Sequence, residues 1–468
     1  MLQKPAQRNQ ASLWTMLHTE PATPMWRKAA LRADMRRTTK LGVPLIGAQL
    51  LQVGNTLVDA IVAGKLGRGE LSAGGIGGSL LFLMSLSCIG LMAGLSPTLS
   101  RLIGERRRVF VGAVFRQGLW LGLMTGLLAM MLLLFLRSHL DRFGFDSALP
   151  PLIGEYLISA CWSLPFVALV MACRNVCEAT NLTRPVLLVT LIGLLVNIVA
   201  SFTLGLGLFG FPRLELFGIG VATTIVNVCM AAVLILLLRG PRFKRFQLFA
   251  SLEPPQWLHI KPMLTLSIPI FLGMLFEAGL FVATAVQMGT IGLLESGAHQ
   301  IAITTSAFCF MVPLGMSFAL TARLGRASAM KFAAPVRLRI ASGAILTVCM
   351  AVLTASLLML FRYQIAAVFT DDVELQSFAA TLLLFGAVFQ LSDGAQIMLL
   401  GALRGLRDTT VPMLINAFSY WVIAFGFGVF CAHVLDMGAY GLWVGLITGL
   451  TLASILLSFR LRYIMKSL

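Results

Sequence analysis

The segment Val111–Leu136 reads VGAVFRQGLWLGLMTGLLAMMLLLFL and carries a single charge, Arg116, near its start. A helix needs about 20 apolar residues to cross the hydrocarbon core of a bilayer. A membrane-spanning strand would instead alternate apolar and polar residues over about ten positions. The run here is continuous, and Pro185–Leu208 and Ile340–Phe361 read the same way. Across all 468 residues, 58% are hydrophobic and only 12% are charged. Soluble domains carry roughly 25% charged residues, and no soluble core could hide so much apolar surface. With lipid as solvent, every backbone polar group must be satisfied within the segment, so the runs are helices. Twelve spans are predicted, near 41–64, 72–98, 112–136, 150–173, 185–209, 216–238, 263–290, 297–322, 339–361, 378–403, 411–434 and 439–461. The fold class is all-α integral membrane, with twelve transmembrane helices in two pseudo-symmetric six-helix bundles.

The net charge is +17, a value that elsewhere would suggest nucleic acid. Its distribution points to topology instead. With the N-terminus inside, all but six of the 36 Lys and Arg fall in or beside cytoplasmic segments, the exceptions being Lys65, Arg68, Arg137, Arg142, Arg213 and Arg362. This is the positive-inside bias, and it predicts that both termini are cytoplasmic. The basic surface then meets anionic lipid heads, and no nucleic-acid partner is expected. Residues 1–40 form a basic cytoplasmic tail without the apolar stretch and cleavage site of a secretory signal. Within it, Met25–Lys40 reads either as an interfacial helix or as a disordered tail. The eight cysteines form no Cys-x-x-Cys pair and no His stands at ligand spacing, so free thiols are expected.

The halves repeat. Val43-Pro44-Leu45-Ile46 resembles Ile268-Pro269-Ile270-Phe271 at an offset of 225, and Ala63-Gly64-Lys65-Leu66-Gly67 resembles Met288-Gly289-Thr290-Ile291-Gly292 at the same offset. Gly94-Leu95-Ser96-Pro97-Thr98-Leu99 resembles Gly315-Met316-Ser317-Phe318-Ala319-Leu320 at 221, as do Gly220 and Gly441. Six spans per copy give both copies the same orientation, a parallel repeat whose halves usually flank a substrate path. The expected organisation is a tail at 1–40, an N-lobe at 41–239, a cytoplasmic linker at 240–262, and a C-lobe with a short tail at 263–468.

Three acids fall inside spans: Asp59, Glu277 and Asp393. A carboxylate at the bilayer centre costs about 2.5–3.5 kcal/mol on insertion scales. No Lys or Arg lies at matching depth, so each acid is expected to be protonated, to bind a cation, or to line a wet cavity. Gln49, Gln52, Thr56 and Asp59 occupy an arc of about 80° on the first span. Glu277, Thr284 and Gln287 do so on the seventh, and Gln390, Asp393 and Gln396 share a broader face of the tenth. With Gln300, these polar side chains are the expected cavity lining. The alternative is interhelical hydrogen bonding. Asn197 and Ser201 share a face of the fifth span, and Thr223 sits early in the sixth. Their oxygens could coordinate Na⁺ or relay a proton beside Asp59.

Other chemistry is not encoded. The glycines at 74, 75, 77 and 78 precede no Gly-Lys-Ser/Thr, so they form no phosphate loop. No nucleophile–base pair or metal cluster is evident, so no catalytic residue and no cofactor are expected.

The sequence resembles the multidrug and toxic compound extrusion (MATE) family, in particular its NorM-like branch. The resemblance rests on Val58-Asp59-Ala60-Ile61-Val62-Ala63-Gly64, on Cys177-Glu178-Ala179-Thr180-Asn181-Leu182-Thr183-Arg184-Pro185 and on Gly193-Leu194-Leu195-Val196-Asn197-Ile198. It continues through Ile268-Pro269, Phe276-Glu277, Gly297-Ala298-His299-Gln300-Ile301-Ala302, Gln390-Leu391-Ser392-Asp393-Gly394-Ala395-Gln396 and Gly401-Ala402-Leu403-Arg404-Gly405. It implies a secondary antiporter exporting small organic cations in exchange for H⁺ or Na⁺; the bacterial inner membrane is its expected place, and a path between two rocking halves gives alternating access and needs only a monomer. It places Asp59 at the first-lobe acid, Glu277 and Asp393 at the second-lobe pair, and Asn197, Ser201 and Thr223 near the first-lobe cation site. NorM-like members often carry Tyr four residues before the tenth-span acid, where Phe389 stands. The lost hydroxyl tilts the expected coupling ion toward H⁺. A lipid-linked oligosaccharide flippase of the same superfamily is the rival reading, but it would need positive charge in its cavity, and the intramembrane charges here are acidic.

Overall fold

The computed structural model describes residues 24–140, 149–250, 253–329, 333–370 and 372–466. Residues 1–23 of the expected tail lie outside this set. Among the described residues every regular element is helical. The first half holds α1 (Pro24–Leu66), α2 (Arg68–Met92), α3 (Leu95–Gly104), α4 (Arg108–Arg137), α5 (Leu149–Ala160), α6 (Ser163–Ala179), α7 (Arg184–Ala200) and α8 (Glu215–Leu238). The second holds α9 (Trp257–Ile291), α10 (Leu293–Ser328), α11 (Ala333–Leu360), α12 (Arg362–Phe369), α13 (Val373–Gly405), α14 (Thr410–Phe418), α15 (Gly428–His433) and α16 (Gly438–Lys466). Short π-helical segments, Ser201–Gly205 and Ser419–Phe427, continue α7 and α14. Among the described residues eleven helices are long and apolar enough to cross a membrane, and a twelfth span forms when α5 and α6, bent by 44°, count as one.

The first span departs from expectation. Its helix begins at Pro24 rather than 41 and runs unbroken for 43 residues, so Met25–Lys40 is neither a separate interfacial helix nor an unstructured tail. The segment is rich in Ala, Leu, Met, Arg and Lys, all strong helix formers. One face is also covered: Asp34 and Thr38 are buried. The fourth span likewise continues past 173 to Ala179, carrying Arg174 and Glu178 into the fold.

Each half packs its helices into a lobe with its own apolar core, exemplified by Leu45, Leu99 and Phe115 in the first and Leu382, Leu383 and Trp443 in the second. Large apolar side chains such as Leu128 (60% exposed) and Leu360 (71%) cover the outside. Such a surface is stable only against acyl chains. The lobes meet at the end that bears both termini. There the Gly94 amide donates to Ser267 Oγ at 3.0 Å, and Gly315 and Gly90 let α10 and α2 approach Ile46 and Phe271 of the opposite lobe. A cleft of about 500 Å³ opens at the same end beside Arg101 and Arg407. It touches none of the intramembrane acids.

The repeat-related Gly220 and Gly441 each allow close backbone approach, to different neighbours. At Gly220 an added Cβ would lie 2.7 Å from the Tyr156 carbonyl oxygen, and at Gly441 it would lie 2.5 Å from the Ala432 nitrogen. Both glycines seat the last span of their lobe against the preceding helices. Gly441→Ala is therefore expected to destabilise the protein by about 1–3 kcal/mol, read as a lowered thermal midpoint in detergent. Gly289→Ala, at a position with no atom within 4 Å of the added Cβ, serves as a neutral control.

Candidate functional site

In the first lobe α1 carries Asp59 against α7 and α8. Asp59 Oδ1 accepts from Asn197 Nδ2 and from Ser201 Oγ, each at 3.0 Å. Asn197 and Ser201 are one helical turn apart and in contact with each other at 3.4 Å. Ser201 opens the π segment; such segments widen a helix locally and are frequent at functional sites. Thr223, whose hydroxyl donates to the Ile219 carbonyl at 3.1 Å, faces the same carboxylate. Tyr156 completes the group from α5, a neighbour that the sequence reading did not find. Asn197 Oδ1 is buried without a partner. Carboxylate, amide and hydroxyl oxygens on three helices are the donor set of a hard cation, and the same atoms could pass a proton.

In the second lobe Glu277 on α9 and Asp393 on α13 interact electrostatically with one another. Tyr420, in the π segment that follows α14, is coupled to both acids. Gln396 Nε2 donates a short hydrogen bond to its hydroxyl. The hydroxyl missing at Phe389 is thus supplied to this cluster by another helix. Arg404, near the end of α13, also interacts with Glu277. The expectation was that no Lys or Arg lies at matching depth in the spans; Arg404 acts on Glu277 through its field without forming an ion pair. Arg404 fell just past the predicted tenth span, 378–403, and sequence alone did not show that α9 passes within its field. Two carboxylates and one guanidinium leave the ionised cluster one negative charge in excess. Among the described residues no Lys or Arg lies within 4 Å of Asp59, Glu277 or Asp393.

The expected cavity lining divides. Gln52 and Gln300 are exposed, and Gln300 Nε2 donates to Thr304 Oγ1 at 3.2 Å. Gln49 is nearly covered, and Gln287 pairs with His433 at 2.5 Å. Thr284, Gln390 and Gln396 are buried inside the second lobe and do not line an open cavity. The Thr284 hydroxyl returns to the Leu280 carbonyl, and Gln390 Nε2 donates to the Ser306 carbonyl at 2.6 Å. For the two glutamines the interhelical alternative describes the packing, whereas Thr284 bonds within its own helix.

A third polar group ties the lobes together. Arg323 of α10 makes a buried ion pair with Asp34 of α1 and donates to Thr38 Oγ1. Ser342 Oγ of α11 donates to Asp34 Oδ2 at 2.6 Å. Arg326 donates to the Ala179 carbonyl of α6. Arg174 is paired with Glu178 at 2.9 Å and lies over the Phe318 ring of the other lobe at 5.1 Å.

Twelve spans in two repeated lobes, with acids held inside each lobe, define a two-lobed membrane transporter. A MatE family model matches residues 44–203 and 269–430, blocks whose starts lie 225 apart (269 − 44), the offset of the internal repeat. The chain belongs to the MatE family. It is 38% identical over 431 residues to the Probable multidrug resistance protein NorM of Xanthomonas axonopodis pv. citri, spanning 92% of this chain and 94% of that one. The protein of the same name from Pasteurella multocida is 32% identical over 442 residues, spanning 93% and 95%. The fold matches a structure described as the outward-facing conformation of a multidrug resistance MATE family transporter, with TM-score 0.86, 19% identity and 94% and 98% of the two chains covered. It also matches the eukaryotic MATE transporter AtDTX14, with TM-score 0.83, 16% identity and 92% and 96% coverage. The protein is a multi-pass membrane transporter and not an enzyme.

Proposed function

We propose that this transporter exports small organic cations in exchange for H⁺ or Na⁺, as a monomer in a bacterial inner membrane with both termini in the cytoplasm. The observation that carries this reading is the pair of acidic clusters, one in each lobe, each with an excess negative charge when ionised. A partly desolvated carboxylate holds the coupling ion or the organic cation well, and both poorly together. Binding of either therefore weakens the other by the same factor. Asp393 with Glu277 binds the coupling ion, and Asp59 with Asn197, Ser201 and Thr223 provides a second site. The lobes rock about the seam at the basic end, which the charge bias assigns to the cytoplasm. Relatives that share the name multidrug resistance protein support small organic substrates.

The test uses purified protein in liposomes loaded with a fluorescent organic cation, with the membrane potential clamped. An imposed pH or Na⁺ gradient is expected to drive movement of the dye, and the effective gradient names the ion. Movement under neither gradient by well-folded protein would overturn the antiport reading and favour the lipid-linked substrate.

A further inference from the structure

The second lobe contains a file of polar atoms that the exchange mechanism above does not use. His299 on α10 is 2% exposed, and neither of its ring nitrogens has a partner. Its ring lies edge-on to Trp443 of α16, with centroids 5.8 Å apart, and the Trp443 indole nitrogen is also buried and unpartnered. Seven residues beyond His299 on the same face of α10, Ser306 presents a third such atom, Oγ. Ser306 Oγ and the Trp443 ring converge on Gly386 of α13, 3.0 and 3.8 Å from where a Cβ would stand. One turn further along α13, Gln390 holds the Ser306 carbonyl with its Nε2 at 2.6 Å and leaves its own Oε1 unpartnered. One turn beyond Gln390 is Asp393.

α10 and α13 run the same way through the lobe. Their two stretches, His299 to Ser306 and Gly386 to Asp393, each rise about 10 Å. Laid end to end they connect the end of the lobe remote from the termini to the acid. Buried polar atoms are bonded in the great majority of cases, to protein or to ordered water, and one buried water typically serves about three of them. Five unpartnered atoms sit on residues linked by contact from His299 through Trp443, Gly386 and Ser306 to Gln390, on three helices, and they fit the lining of such a water chain.

We infer that this line is an internal water file that carries protons from the outer surface through the second lobe to Asp393, apart from the inter-lobe route of the organic cation. Each water accepts a proton on one side and releases one on the other. The net change is one H⁺ taken from outer solvent and one carboxylate converted to carboxylic acid. The lining favours protons over Na⁺, because the indole N–H is a donor only and hard cations require oxygen ligands. The route also meets a need of exchange: a cation seated between the lobes would block delivery from its own side, whereas the file reaches Asp393 from behind. The groups that face Asp393 are Glu277 from α9, Tyr420 from the π segment after α14, and Arg404 through Glu277. Among the described residues no charged group couples to His299.

The inference rests on the antiport reading, and the experiment separates the two. Trp443→Phe and Ser306→Ala remove the lining atoms without adding volume beside Gly386. In liposomes under a pH gradient, their combination is expected to slow dye export about tenfold or more. Equilibrium dye affinity in detergent, and its change between two pH values, are expected to stay within about twofold of wild type. Asp393→Asn, by contrast, loses both the rate and the pH dependence of binding. A double variant that exports at the wild-type rate overturns the file. So does one whose equilibrium pH dependence has changed, because the residues would then act by shaping the acid's site. Wild-type export driven by Na⁺ alone overturns the file and leaves antiport standing. Export under neither gradient overturns both.

Discussion

Asp393→Asn will erase the dependence of organic-cation affinity on the coupling ion. Linked sites of this kind typically change each other's affinity by about 5–150-fold, so a titration with and without the ion separates wild type from variant clearly. Asn keeps the size of the side chain and cannot carry the charge. Because Asp393 makes no ion pair within 4 Å, its neutralisation strands no cation, and the variant is expected to fold. Asp59→Asn is the informative companion, since it keeps an oxygen to accept from Asn197 and Ser201 but removes the charge in the other lobe. A ratio of affinities that survives in Asp393→Asn and vanishes in Asp59→Asn would move the coupling site to the first lobe. A ratio that survives in both would remove the acids from the mechanism.

Arg323→Ala is expected to open the seam at the basic end. Arg323 and Asp34 are 6% and 8% exposed, and removing one partner of a buried pair strands the other at a cost of about 3–5 kcal/mol. Parting the lobes returns Asp34 to water and relieves that cost, so the population shifts toward the form open at this end. Spin-label distances between exposed positions Arg107 and Arg337, in a cysteine-depleted background, should lengthen and broaden. An unchanged distribution would show that apolar packing alone closes the seam. Asp34→Asn with Arg323→Leu, which leaves no stranded charge, is expected to lie closer to wild type.

The spans were legible because lipid admits one solution, a continuous apolar helix, and that solution is written locally. The acids were legible because charge stands out in such runs, and the Asp59 neighbours because Asn197 and Ser201 share a face. What escaped depended on distant partners. Asp34 and Arg323 are 289 residues apart, and each alone reads as an ordinary solvated residue beside a span. Tyr420 and Arg404 join the second-lobe acids only through helix packing that no periodicity records. The glutamines of the tenth span were read as cavity lining, and their burial against neighbouring helices was not legible because a polar stripe looks the same whether it meets water or the next helix.

The π segments have a consequence for residue counting. Ser201–Gly205 and Ser419–Phe427 occupy the fifth span and its counterpart in the repeat, the eleventh. A π turn absorbs a surplus residue while the helix on either side keeps its direction. Beyond Phe427, where the helix continues to His433, numbers therefore run ahead of faces by about 100°, and a wheel drawn through the whole span assigns its far end to the wrong side. Loss of one residue within the segment restores an α-helix and leaves both flanks where they were. Loss of one residue elsewhere in the span would turn everything downstream. A chain one residue shorter within Ser419–Phe427 would thus keep the faces of the helix that follows it.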